Sequence, residues 1–314
     1  MIQGTSTTRT AVLDPMQREV HSARHTGMRR IPAFVLVPLL LLTGCAQRGT
    51  VGLPAVSLSP FPTFDAIYAP DNIVLSIEEG GGFVAAQVIA TELPHVIVYG
   101  DGRVITSSSG WTDRSVGLPN LRQYMLSPDE VGRLMLMAQA AGVGHGIDYG
   151  YPLVADVSTT TFRVLTSYGL LATHVYALGY DHGLDQATRE ARQRLIDLQR
   201  ALTDIGATLG PDVAGKASSY NPVRVAVISQ PVTDGSSPDE RTWPGPALPG
   251  QPLPLNPVIG EDNLSCVEAT GDELDPVLGE ADAATEATTW RWAGQRYRIW
   301  FRPLLPHEFS CDDL

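Results

Sequence analysis

The alternation of apolar and polar positions begins at Ile73. Ile73, Leu75 and Ile77 alternate with Val74, Ser76 and Glu78, which predicts a strand that Gly80-Gly81-Gly82 breaks. Val96-Ile97-Val98-Tyr99 and Arg103-Val104-Ile105-Thr106 flank Gly100-Asp101-Gly102, and Asp-Gly between two β-branched runs predicts a hairpin. Ser127-Pro128-Asp129-Glu130 then supplies an N-cap serine, a proline at the first helical position and a glutamate at the third. Val131, Leu134, Met135, Ala138 and Ala141 follow at helical spacing, and Gly142 is placed to stop that helix. After a Gly-rich turn over residues 144–151, residues 159–165 read as a β-branched strand. Ser167-Tyr168-Gly169 turns it, and residues 171–178 return as its partner. A second helix is predicted over 185–205, where Ala187, Ala191, Leu195, Leu198, Leu202 and Ile205 step by three or four before Gly206. Residues 223–228 form one more apolar strand.

Beyond that strand the pattern changes. Residues 231–257 hold eight prolines, which predicts a linker or an extended segment wrapping the surface. The last part offers a short helix near 274–284 and a hairpin around Ala293-Gly294-Gln295, in which Arg296, Arg298 and Arg302 alternate with Tyr297, Ile299 and Phe301. The element order predicts an α+β fold: an antiparallel sheet with two main helices, plus a small Pro-rich, disulfide-pinned C-terminal lobe. The expected division is an α+β domain over 71–230, a Pro-rich linker over 231–257 and a β-rich lobe over 258–314.

The N-terminal segment has a different logic. Arg29 and Arg30 precede an uncharged apolar run over residues 31–42. As a helix that run spans about 18 Å, short of the ~30 Å hydrocarbon core, so it fits a signal segment better than a membrane span. Leu42-Thr43-Gly44-Cys45 follows at once and resembles the lipobox of bacterial lipoproteins. The resemblance implies a signal peptide over 28–44, cleavage before Cys45, a lipid on the Cys45 thiol and a tether over 45–70. Residues 1–27 are polar and aperiodic and read as an upstream extension, with Met28 the better start.

Composition sharpens the compartment. The 314 residues carry 22 Lys+Arg against 34 Asp+Glu, a formal charge of −12, which argues against nucleic acid as a partner. Cleavage before Cys45 removes five arginines and two carboxylates and leaves the chain three units more negative. Anionic headgroups repel such a surface, so a covalent lipid anchor would be needed to hold it at the membrane. With Cys45 lipidated, Cys266 and Cys311 remain; two thiols in an exported chain predict one disulfide, with two buried free thiols the alternative.

The chemistry-bearing residues converge less clearly. There is no Gly-x-Ser-x-Gly and no Ser-x-x-Lys, so no catalytic residue is assigned. His174, Asp181 and His182 with Asp156 would make a zinc set only if the fold gathered them; loop polars plus one strand histidine is the reading taken, and no metal or cofactor is expected. Asp148 and Asp156 flank Tyr149-Gly150-Tyr151-Pro152, two acids and two tyrosines on a loop that suits a sugar or acid–base work. The competing reading is a capping Asp156 with Tyr149 and Tyr151 packed on the sheet. Trp290, Trp292, Tyr297, Trp300 and Phe301 crowd twelve residues; as an exposed ladder they suit a partner or a glycan, and as a core they need both strand faces covered.

Three stretches are together similar to uncharacterised secreted lipoproteins of high-GC bacteria: residues 93–105, the Leu126-Ser127-Pro128-Asp129-Glu130 helix start, and Arg302-Pro303-Leu304-Leu305-Pro306. The hairpin-helix-hairpin order also resembles secreted protease-inhibitor domains of the emfourin type, in topology alone. The reading is then a membrane-anchored extracytoplasmic module that binds an envelope protein or glycan. The alternatives are an envelope hydrolase or glycan-acting enzyme using residues 144–156, and an inhibitor-like domain.

Overall fold

The computed structural model describes residues 69–107, 117–233, 238–253, 263–285 and 287–314. The expected signal segment, Cys45 and nearly all of the tether lie outside those residues. No helix among the described residues is long and apolar enough to cross a membrane.

The chain folds as α+β around two sheets. In the first, β1 (Ile73–Gly80), β2 (Val96–Tyr99), β3 (Arg103–Ser107), β4 (Leu121–Met125), β5 (Thr159–Thr166), β6 (Gly169–Tyr176) and β7 (Ser218–Ser219) lie in the order β6-β5-β1-β2-β3-β4-β7. Every neighbouring pair is antiparallel. The Asp101-Gly102 hairpin forms as predicted. Gly102 sits at φ 91°, and a Cβ there would lie 2.3 Å from the Leu126 carbonyl oxygen, so only glycine serves.

A short helix α1 (Ala86–Ala90) follows β1, and α2 (Pro128–Ala141) follows β4. The predicted capping box is present: Ser127 Oγ accepts from Glu130 N at 3.3 Å, and Glu130 Oε2 accepts from Ser127 N at 2.7 Å. Helix α3 (Gln186–Thr203) starts at Asp185, whose carboxylate accepts from Thr188 N at 2.9 Å. It ends two residues short of the predicted Ile205, because Asp204 caps a new turn, α4 (Ile205–Leu209), followed by α5 (Pro211–Ala214). Gly206 does not stop the helix. It allows close approach, since a Cβ there would lie 2.8 Å from Ala214 Cβ. Leu134, Met135, Leu195, Leu198 and Leu202 of α2 and α3 bury one face of the first sheet with Leu75, Ile77, Phe162 and Val164. At β1, Val74, Leu75, Ser76 and Ile77 are all buried, since this central strand is covered on both faces.

The second sheet contains β8 (Arg224–Pro231), β9 (Asp239–Thr242), β10 (Gln251–Pro252), β11 (Ser265–Thr270), β12 (Thr288–Trp292) and β13 (Gln295–Pro303), ordered β10-β11-β8-β13-β12-β9. All pairs are antiparallel except β12 with β9. The strand read as the end of the first domain is therefore central in the second sheet. The stretch read as a linker supplies β9, β10 and core residues Trp243 and Leu248. Helix α6 (Leu274–Ala283) lies where a short helix was expected.

Both faces of this sheet are covered, which settles where the aromatic ladder lies. Trp290, Tyr297 and Phe301 pack with Trp243 and with Val277 and Ala281 of α6. Trp243 meets Trp290 edge-on at 5.5 Å and 82° and donates through Nε1 to the Pro246 carbonyl at 2.7 Å. Trp292 is half-buried against the same cluster, and Trp300 half-buried against the opposite one. That opposite face packs Ala226, Ile228 and Cys266 on Ala86 and Ala90 of α1 and on Leu304 and Cys311 of the C-terminal tail. Trp290 is 1% exposed, so it stabilises the core and presents no surface to a ligand.

The tail joins the two sheets. Leu305 packs on Ile97, Tyr99, Ile105 and Leu121 of the first sheet, while Leu304 packs on the second. The predicted disulfide is present: Cys266 on β11 and Cys311 in the tail are bonded, with Cα atoms 6.0 Å apart.

Candidate functional site

The tail covers only part of the first sheet's second face. Register fixes what the rest presents. Gly80, Thr159 and Tyr176 form one row across β1, β5 and β6; Glu78, Thr161 and His174 form the next; Ser76, Arg163 and Ala172 the third. On β5 and β6 these rows make an open shelf, while at β1 Ser76 is buried. At its inner end a cavity of about 380 Å³ lies under the tail, lined by Glu78, Gly80, Thr159 and Thr161 of the shelf, Glu92 to Pro94, and Arg302, His307, Glu308 and Asp313 of the wall.

The wall is locked by charge. The buried Arg302 guanidinium binds Glu308 with two parallel bonds, at 2.8 and 2.7 Å, and donates from Nε to the Glu92 carbonyl at 2.9 Å. Glu308 also accepts from Leu305 N at 2.7 Å. Asp313 caps the last turn by accepting from Phe309 N at 2.7 Å and Ser310 N at 3.0 Å, and these amides hold its carboxyl below the usual range. His307 Nδ1 is 2.8 Å from the Tyr99 hydroxyl. Burial lowers the imidazole below its ordinary range and pushes the Tyr99 hydroxyl far up, so the pair is held as two neutral partners of one hydrogen bond.

On the shelf side the charges are paired as well. Glu78 bridges to Arg163 and accepts from Ser76 Oγ at 3.0 Å. Glu79 binds His95 Nε2 at 3.0 Å through one oxygen and accepts from Ser158 Oγ through the other. Serine, carboxylate and imidazole thus meet in an order other than that of a Ser–His–acid triad, because the serine bonds the carboxylate and not the histidine. Among the described residues no group of three or more His, Cys, Asp or Glu is placed to hold a metal ion. His174 shares a hydrogen bond with Thr161 Oγ1 at 3.0 Å.

The predicted loop lies at the outer end of the shelf and divides by function. Tyr149 is buried, and its hydroxyl donates to the Gly142 carbonyl at 3.2 Å. Its own carbonyl accepts from Arg192, a buried arginine of α3 that also donates to the Tyr176 carbonyl at 2.9 Å and to that of Ala177. Arg192 therefore ties the loop to α3 and the end of β6. Burial depresses its basicity, since these partners are carbonyls rather than carboxylates. Asp148 is exposed and closes a turn by accepting from Gly150 N at 2.8 Å. Asp156 is exposed too, at φ 59°, and its carbonyl accepts from Phe83 N at 3.3 Å. It caps no strand with its side chain. Tyr151 is the member left to act: it is 69% exposed and stacks flat on Tyr176, with ring centroids 4.3 Å apart and planes within 5°. Tyr176 is held in turn by its hydroxyl, which donates to the Val154 carbonyl at 2.9 Å.

Tyr176 is the cross-strand neighbour of Thr159, which lines the cavity. Tyr176 therefore stands one strand spacing (~4.8 Å) from a lining residue, and neither tyrosine lines the cavity itself. Sequence reasoning singled out Tyr151 and did not reveal the cavity. Arg302, His307 and Glu308 come from one tail segment, but their partners Glu92 and Tyr99 lie some 200 positions earlier. No local spacing links them. No protein-family model matches the chain, no curated protein matches its sequence, and no solved structure matches its fold.

Proposed function

We propose that the protein is a lipid-anchored, extracytoplasmic binding module of the cell envelope and that it takes a glycan on the shelf of the first sheet. The anchoring half of this reading rests on Arg29-Arg30, the apolar run and Leu42-Thr43-Gly44-Cys45 in the right order. A buried disulfide joining β11 to the tail fits the oxidising side of a membrane.

The single observation that carries the glycan half is the Tyr151–Tyr176 stack beside a polar cavity. One face of Tyr151 is occupied by Tyr176, and the residue as a whole is 69% exposed. A flat aromatic surface receives the C–H face of a sugar ring. Carboxylates and hydroxyls of the cavity (Glu78, Thr159, Thr161, Asp313) would then meet its hydroxyl groups. The titratable side chains are already engaged with one another, which suits holding a ligand better than turning it over.

The test is the affinity of the full chain for soluble fragments of cell-wall glycan, by calorimetry. Tyr151→Ala removes an exposed ring and leaves the core intact, so binding is expected to weaken roughly tenfold, the weight of one aromatic anchor. Equal affinity in the variant removes the shelf from the account. Release of shortened glycan by the wild type would make the protein an enzyme instead.

A further inference from the structure

We propose that β6 is a dimerisation edge, through which two copies of this chain pair antiparallel and join their first sheets into one. Sheets expose edges that attract other strands unless they are blunted. The four edges here are β6 and β7 in the first sheet and β10 and β9 in the second. Three are blunted. β7 has two residues, β10 has two including Pro252, and β9 carries Asp239, Glu240 and Arg241 within four residues. β6 is different. Its eight residues, Gly-Leu-Leu-Ala-Thr-His-Val-Tyr, contain no proline and no Asp, Glu, Lys or Arg, and it pairs with β5 without a register shift.

The outward backbone groups can be assigned. Ala177 N donates to Ser158 O at 2.9 Å, in register with the β5–β6 ladder, so odd-numbered residues turn their amides to β5. Leu170, Ala172, His174 and Tyr176 turn theirs outward, and among the described residues no strand meets them; the Tyr176 carbonyl is taken by Arg192, so the open stretch runs from Leu170 to His174. A chain with a net charge of −12 repels its own copies over most of its surface, and an uncharged edge is where two copies can approach.

The exposed apolar residues favour a second copy as the occupant. Tyr168, 81% exposed, and Leu170, 42% exposed, stand at the start of β6, and the Tyr151–Tyr176 stack stands at its end. Antiparallel pairing brings the start of one strand to the end of the other. With Ala172 on the twofold axis, Leu170 lies opposite His174 of the second copy, so no like charges face each other; the Tyr168 amide and the Tyr176 carbonyl already bond within the chain, so those two residues meet only through their side chains. The axis is perpendicular to the sheet, and both shelves open on the same side. This arrangement does not depend on what the shelf binds.

Cysteine cross-linking in the native membrane tests the register. Ala172→Cys is expected to give a covalent dimer under mild oxidation, and Ser219→Cys on β7 is expected to stay monomeric. For assembly in solution, the full chain carrying Cys45→Ser removes any shared lipid or micelle. Sedimentation should give twice the chain mass, and adding Ala172→Lys with His174→Lys should weaken association roughly tenfold or more while the circular dichroism is unchanged. The proposal is overturned if the parent chain is a monomer across the concentration range, if the lysine pair leaves the dimer intact, or if Ala172→Cys does not cross-link.

Discussion

Glu308→Ala destabilises the fold by about 3–5 kcal/mol, the cost of leaving a buried guanidinium without its carboxylate. Glu308 and Arg302 are each about 6% exposed at the side chain, and two bonds of 2.7 and 2.8 Å join them in a fork. The variant also strands the Leu305 amide, which donates to Glu308 Oε2 at 2.7 Å. Unfolding in urea should show the loss, and exchange of the Leu305 amide should accelerate. Replacing both partners, Arg302→Met with Glu308→Leu, is expected to recover most of the stability, because the uncompensated charge disappears with its counter-ion. The residual deficit of about 1–3 kcal/mol is the Leu305 amide and the Glu92 carbonyl, each left without its side-chain partner. Equal losses in the single and double variants would mean that the pair is not the element holding the tail.

The second large effect is the disulfide. Cys266 and Cys311 close a loop with a sequence separation of 45, which on the chain-entropy model restrains the unfolded chain by about 4 kcal/mol. Both sulfurs lie in the cluster of Ile228, Leu264 and Leu304, where the tail meets β11. Replacing both cysteines with alanine should lower the urea midpoint by a corresponding amount, and a thiol reductant acting on the wild type should approach the same midpoint. The tail carries His307 and Glu308 into the cavity wall against Arg302 of β13, so this bond and the ion pair secure the same structure from two ends. A reduced chain as stable as the oxidised one would remove the disulfide from that role.

What was legible in the sequence follows from how local each signal is. The Asp101-Gly102 hairpin, the Ser127–Glu130 capping box and the β5–β6 return depend on residues within a few positions of one another, and all three form. β4 was missed because Leu121-Arg-Gln-Tyr-Met alternates poorly, and α1 because five residues give too little periodicity. The second sheet was misdivided for a different reason. Local pattern says that 223–228 is a strand, but not that its neighbours are β11 and β13, which arrive forty to seventy positions later. The Pro-rich stretch then read as a linker, although extended proline-bearing chain can also supply edge strands and a core tryptophan. The aromatic ladder was ambiguous from the outset, and α6 on one face with α1 and the tail on the other decided it. In the loop at 148–156 the packed reading holds for Tyr149, which lies inward, while Asp148 makes a turn and Tyr151 lies open on Tyr176.

We propose that this chain is exported and tethered by lipid at Cys45. The intact mass of the protein extracted from membranes tests it most directly. The predicted species begins at Cys45, carries the added mass of a diacylglyceryl group, and is two hydrogens lighter than the reduced chain because Cys266 and Cys311 are joined; Cys45→Ser should appear without the lipid mass and leave the membrane fraction. A chain that retains residues 28–44 and bears no lipid would contradict the claim.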